Sequence, residues 1–93
     1  MYWSGEAAEH MLTRHGITPQ QADEVLEDDN AIWDDPDPSG KSGLTIRIVG
    51  WSYTRREVIT VIYLPDVDGD LHGVNGWVTK SGRDRTRYRE VTE

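Results

Sequence analysis

The run Glu57-Val58-Ile59-Thr60-Val61-Ile62-Tyr63-Leu64 restricts this chain more than any other segment. Six of its eight side chains are apolar, four of those are β-branched, and no period separates a wet face from a dry one. Such a stretch reads as a central strand buried on both faces, which needs a neighbour on either side. The flanking segments supply them. From Leu44 to Trp51 the residues Leu44, Ile46, Ile48 and Gly50 alternate with Thr45, Arg47 and Val49, the pattern of a strand with one wet face to which Arg47 points. Ser52–Arg56 joins these two strands as a hairpin. Pro65 and the acidic turn Asp66-Val67-Asp68-Gly69-Asp70 end the central strand. Leu71–Val78 then offers a third strand, with Val74 and Gly76 on one face and Asn75 and Trp77 on the other.

Helical spacing occupies the two ends of the chain. Ser4 caps a helix over residues 5–15 in which Ala8, Met11, Leu12 and His15 share a face, and Gly16 stops it by accepting a left-handed conformation. Thr18 at the N-cap, Pro19 at the first helical position and Gln21 three residues after the cap start a second helix. It buries Ala22, Val25 and Leu26, turns Asp23, Glu24, Glu27 and Asp28 to water, and ends near Asp28. Ser81 and Asp84 form a capping box for a last helix whose apolar contacts are Tyr88 and Val91. Residues 34–43 hold two prolines and two glycines and read as a surface loop, approached through Ile32 and Trp33 as an anchor or short strand. The expected fold is therefore α+β over residues 1–93 as a single domain. Two N-terminal helices, a three-stranded antiparallel meander and a C-terminal helix form a two-layer sandwich with the helices on one face.

Composition narrows the chemistry. The 93 residues include no cysteine, which removes disulfides, thiolate metal ligands and thiol nucleophiles. No apolar run approaches the roughly 20 residues of a membrane span, and the N-terminus lacks the basic and apolar regions of a signal peptide. A cytoplasmic protein with no membrane contact is expected. The formal charge of −7 opposes generic polyanion binding, but it is unevenly spread. Residues 1–43 carry ten acids against Arg14 and Lys41, whereas between residues 80 and 89 Lys80, Arg83, Arg85, Arg87 and Arg89 oppose Asp84 alone. That asymmetry indicates a polyanion or acidic partner at one end, or a helix whose solvated face carries its cations.

Several motifs fail on inspection. Counted from Asp66, a calcium loop needs glycine at the sixth position and glutamate at the twelfth, where Leu71 and Trp77 stand. Gly40-Lys41-Ser42 lacks the earlier glycine and the following helix of a phosphate loop. His10, His15 and His72 do not have metal-ligand spacing, so neither metal nor cofactor is expected. His15, in the last turn of its helix, suits either a general acid–base role or a cap on orphan carbonyls. Arg47 with Lys80, Arg83, Arg85, Arg87 and Arg89, beside Tyr53, Trp77 and Tyr88, is the mixture RNA recognition uses, guanidinium groups on phosphates and rings on unpaired bases.

Arg14-His15-Gly16-Ile17-Thr18, followed by Ala22, Val25, Leu26 and Asp28, resembles the N-terminal signature of BrnT-like toxins. The later meander and charged helix ending near Tyr88 are similar to that family across nearly the whole chain. The resemblance implies a RelE-superfamily fold and a ribonuclease toxin that inhibits translation, neutralised by a cognate antitoxin. Where the family's third strand ends in serine, a small residue and arginine, this chain has Asn75, Gly76 and Trp77.

The first expectation is thus a metal-independent ribonuclease. His15, Arg47, Arg83, Arg87 and Tyr88 form its catalytic group, and Asn75, Trp77, Lys80 and Arg85 contact RNA, the ribosome or a partner. The alternative is an inactive binding module of the same fold, whose basic helix holds an acidic protein or RNA. A third, purely structural arrangement leaves the arginines as solvated surface and makes the chain a subunit of a homo-oligomer.

Overall fold

Local capping chemistry decides where the chain first becomes helical. A computed structural model describes residues 2–92; Met1 and Glu93 lie outside the described residues. Helix α1, Gly5–His15, begins where Ser4 Oγ accepts the Ala7 N–H at 3.1 Å and ends at Gly16, whose φ of 69° only glycine adopts freely. Helix α2, Pro19–Asp23, carries the expected reciprocal capping box between Thr18 and Gln21. It runs for five residues and then tightens into a 3-10 turn over Glu24–Glu27, short of the single helix expected to reach Asp28.

The tightening accompanies a side chain that sequence periodicity places in water. Glu24 is 2% exposed, and its carboxylate accepts from the Ser52 hydroxyl at 2.7 Å and from the Thr54 hydroxyl and N–H. Burial acts to raise its pKa, but these donors outweigh it and hold the carboxyl below its ordinary value. Asp23 is also engaged, accepting from Trp3 Nε1–H at 2.9 Å and from the Tyr63 hydroxyl at 2.8 Å. Both carboxylates expected in solvent thus bind the helical pair to the sheet.

The sheet is antiparallel, with strands β1 (Ile32–Asp34), β2 (Ile46–Ser52), β3 (Glu57–Pro65) and β4 (Leu71–Val78) in sequence order. It has four strands where three were expected, because Ile32–Asp34 pairs with Val49–Arg47 as an edge too short to show alternation. Strand β2 starts two residues later than its pattern suggested, leaving Leu44 65% exposed. In β4 the partners jump from Asn75 opposite Ile62 to Gly73 opposite Tyr63, so Val74 bulges out of register.

Alternation along β2 and β3 gives the sheet two covered faces. Ile48 of β2 and Ile59, Val61 and Tyr63 of β3 are fully buried with Met11, Ile17, Ala22 and Val25 from the helical side. Each such aliphatic side chain contributes about 1.5–3 kcal/mol. Gly50 lies on the same face, where an added Cβ would come within 3.0 Å of Val25. The intervening Arg47 points the other way and meets helix α3, Gly82–Thr92, while Val49 and Thr60 are buried on that opposite face. The helices therefore do not gather on one side. The class is α+β as expected, but α3 covers the second face, which corrects the two-layer sandwich. No helix among the described residues is long and apolar enough to cross a membrane.

Two stability outcomes follow from these contacts. A Cβ at Gly73 would lie 2.2 Å from the Trp3 ring, so Gly73→Ala should cost about 1–3 kcal/mol in urea unfolding and shift the tryptophan emission as the ring is displaced. Because Glu24 binds its proton less readily folded than unfolded, its contribution is complete above the unfolded carboxyl pKa and is lost as pH falls through the lower folded value. Glu24→Gln should therefore lower stability at pH 7 by about 1–3 kcal/mol and reduce the loss seen on acidification below about pH 4. An unchanged acid limb in the variant would reject this assignment.

Candidate nucleic-acid interface

Helix α3 spends two of its positions on the sheet. Asp84 and Tyr88, four residues apart and so on one face, are buried, whereas Arg83, Arg85 and Arg89 are exposed and Arg87 is intermediate. The Asp84 N–H bonds Ser81 Oγ at 3.3 Å, half of the expected capping box. The other half is not made, because the Asp84 carboxylate turns inward to the guanidinium of Arg47.

A cross-face network grows from that pair. Arg87 is 3.3 Å from Asp84 and donates from both terminal nitrogens to Asp34 on β1, at 3.1 and 3.2 Å. Hydrogen bonding to Arg87 is the main cause that holds Asp34 below its usual carboxyl range, against burial, with Arg47 and Arg83 adding smaller electrostatic support. Tyr88 donates its hydroxyl proton to Asp28 Oδ2, which also accepts the Trp51 N–H at 2.8 Å. Burial and that bond raise the phenol above its ordinary pKa, so it keeps its proton at neutral pH.

Of the residues that sequence singles out, Arg47 and Arg87 are brought together, but around carboxylates, while Arg83 acts on Asp34 through its charge alone. Arg47 does not lie on a wet face as expected; its side chain is 15% exposed and paired with Asp84. Tyr88 occupies the same side with its hydroxyl bound. The Asn75 side chain accepts from the adjoining Gly76 N–H at 2.9 Å. Sequence reasoning missed the carboxylates, although Asp84, the sole acid between Lys80 and Arg89, was a visible signal.

His15 belongs to a second grouping where the end of α1 meets β4. Its ring centroid is 6.1 Å from that of Trp77, with the planes tilted by 50°. Burial chiefly, then the charges of Arg14, Lys80 and His10, lower its pKa and leave the imidazole neutral at pH 7. Arg14, Lys80, Arg83 and Arg85 are exposed and make no ion pair among the described residues. No three histidine, aspartate or glutamate side chains among those residues converge as metal ligands. The arrangement offers a half-buried indole beside a neutral imidazole with the unpaired charges of Arg14 and Lys80 near it, groups suited to stacking a base and neutralising phosphates.

Removing Asp84 strands the Arg47 charge beneath α3. Asp84→Ala should cost about 3–5 kcal/mol in urea unfolding and speed amide exchange throughout α3, while the double change Arg47→Met with Asp84→Leu should recover most of that loss. Equal destabilisation by the single and double variants would mean that the pair is not the contact holding the helix. No protein-family model matches the sequence, and no curated protein matches it significantly.

Proposed function

We propose that this chain is a BrnT-like, toxin-type protein that engages single-stranded RNA through the surface formed by Arg14, His15, Trp77, Lys80 and Arg83, and that it acts by binding. The observation that carries this reading is the division of the basic residues. Arg47, Arg87 and Tyr88, which a metal-independent ribonuclease would use, are bound to Asp84, Asp34 and Asp28, whereas Arg14 and Lys80, whose charges act on the His15 ring next to Trp77, and Arg83 at the start of α3 make no ion pair among the described residues. A base stacked on Trp77 places its phosphates among these cations, and stacking on an aromatic side chain is worth about 1–3 kcal/mol per base. The net acidic N-terminal half keeps such binding local and salt-sensitive.

Fluorescence anisotropy with a labelled single-stranded RNA tests it. The paired change Lys80→Glu and Arg83→Glu should weaken binding at least about tenfold and flatten its salt dependence by about two units of slope, and Trp77→Ala should weaken it about tenfold. Unchanged affinity in both variants would remove this surface from consideration.

A second reading, a translation-inhibiting ribonuclease held in check by an antitoxin, has one observation behind it. His15 is a neutral imidazole beside three cationic or ionisable groups, the condition a general base for the 2′-hydroxyl needs. Cleavage would then rise with pH through a value below the ordinary imidazole pKa, stay level near pH 7, and vanish in His15→Ala while RNA binding persisted. Intact RNA after long incubation at high protein concentration, with normal growth of cells expressing the chain, decides for binding alone.

A further inference from the structure

Strand β4 begins, at the end remote from Trp77, beside the acidic turn that follows β3. A cavity of about 600 Å³ opens there, floored by Ile46 and Leu71 and walled by Trp33 and Tyr2. Trp33 pairs with Ile48 and so faces the helical side, yet it is 50% exposed, and Tyr2 is 60% exposed. Tyr2 is fixed in place: its N–H donates to Leu71 O at 3.1 Å, its carbonyl accepts from the Gly73 N–H at 2.7 Å, and its ring meets His72 edge-on.

The polar rim is equally well fixed. Asp66 Oδ2 lies 2.8 Å from His72 Nε2, and Asp66 Oδ1 accepts the N–H groups of Asp68 and Asp70 at 2.9 and 3.0 Å. Asp70 also lines the cavity, its carboxylate makes no ion pair among the described residues, and no lysine or arginine lines the cavity. Two π faces, an apolar floor and two carboxylates form a negative site that repels anions and disfavours a neutral apolar guest, which would strip water from the carboxylates without replacing it. A guanidinium matches every part, since it is planar, lies flat on aromatic rings and bonds carboxylates through its fork.

The walls also identify the carrier. Pockets for free small ligands enclose most of their guest, whereas both aromatic walls here stay half open, as expected when the guest's remaining mass lies outside. We infer that this cavity receives an arginine side chain from a partner polypeptide, with Trp33 and Tyr2 as stacking walls and Asp70 as the free counter-charge. It lies apart from the proposed RNA surface and does not rest on it.

The full chain, labelled with nitrogen-15, should be titrated with acetyl-Gly-Arg-Gly-amide and with the citrulline and glutamate analogues. Saturable shifts of the Trp33 indole N–H and the His72 amide with the arginine peptide alone are expected. Trp33→Ala should weaken binding about fivefold, and Asp70→Asn, at an exposed turn that leaves the fold intact, about two- to fivefold. The absence of saturation, an equal response to the citrulline peptide, or unchanged affinity in Asp70→Asn would overturn the assignment. Agmatine binding where the peptide fails would overturn its polypeptide source.

Discussion

Helix α3 has very little apolar surface with which to hold a sheet. Its buried side chains are Asp84 and Tyr88, and Val91, expected as a second apolar contact, is 51% exposed. What fixes it is the ion pair between Asp84 and Arg47, extended by Arg87 to Asp34 and by Tyr88 to Asp28. Polar attachment of this kind is directional. Taking two charges out of water offsets much of their attraction, so the pair adds less to net stability than to the choice of one docking geometry over others. That geometry determines which arginines remain available, and the candidate site is what α3 leaves over after docking.

The same interaction changes the meaning of the uneven charge. Ten acids in the first 43 residues, set against a basic final helix, suggest an external partner. In the folded chain a large part of that complementarity is satisfied internally. Asp28 and Asp34 receive Tyr88 and Arg87, Asp23 receives Trp3 and Tyr63, and Glu24 receives Ser52 and Thr54. The acids nearest the sheet act as sockets. Those on the open face of α1, Glu6 and Glu9, and the exposed Asp29 and Asp35 remain to set the overall field.

Caps and apolar periods were legible in the sequence because they depend on neighbours within four residues. Ser4, Gly16, Thr18 with Gln21, and the two-sided apolarity of residues 57–64 all stand where their chemistry placed them. The last of these contained more than was drawn from it. A strand apolar on both faces cannot lie in a sheet covered on one side, so Val58 and Ile62 already called for a third layer. What stayed hidden depends on distant partners. Nothing near Glu24 announces two hydroxyls some 30 residues away, and no local pattern distinguishes an arginine facing water, as Arg47 was expected to be, from one facing a carboxylate 37 residues later.

The candidate site shows the same limit more sharply. Sequence pointed to α3 and Trp77, and grouped as catalytic Arg47, Arg87 and Tyr88, which the fold engages in contacts with Asp84, Asp34 and Asp28. The distinction turns on desolvation. An arginine that stabilises charge on a reacting phosphate must have its donors unspent until the transition state forms, and a guanidinium already bonded to two carboxylates has to exchange them first. Arg87 is in that condition with Asp34 and Asp84, and the depressed pKa of Asp34 reflects how strongly the contact is held. Lys80 and Arg83 make no ion pair among the described residues, so neither has a carboxylate to exchange before meeting an anion. The proposed anion surface therefore rests on Lys80, just before α3, and on Arg83 in its first turn, which directly precedes Asp84 and lies about one turn before Arg87 and Tyr88, the residues that fasten the helix down.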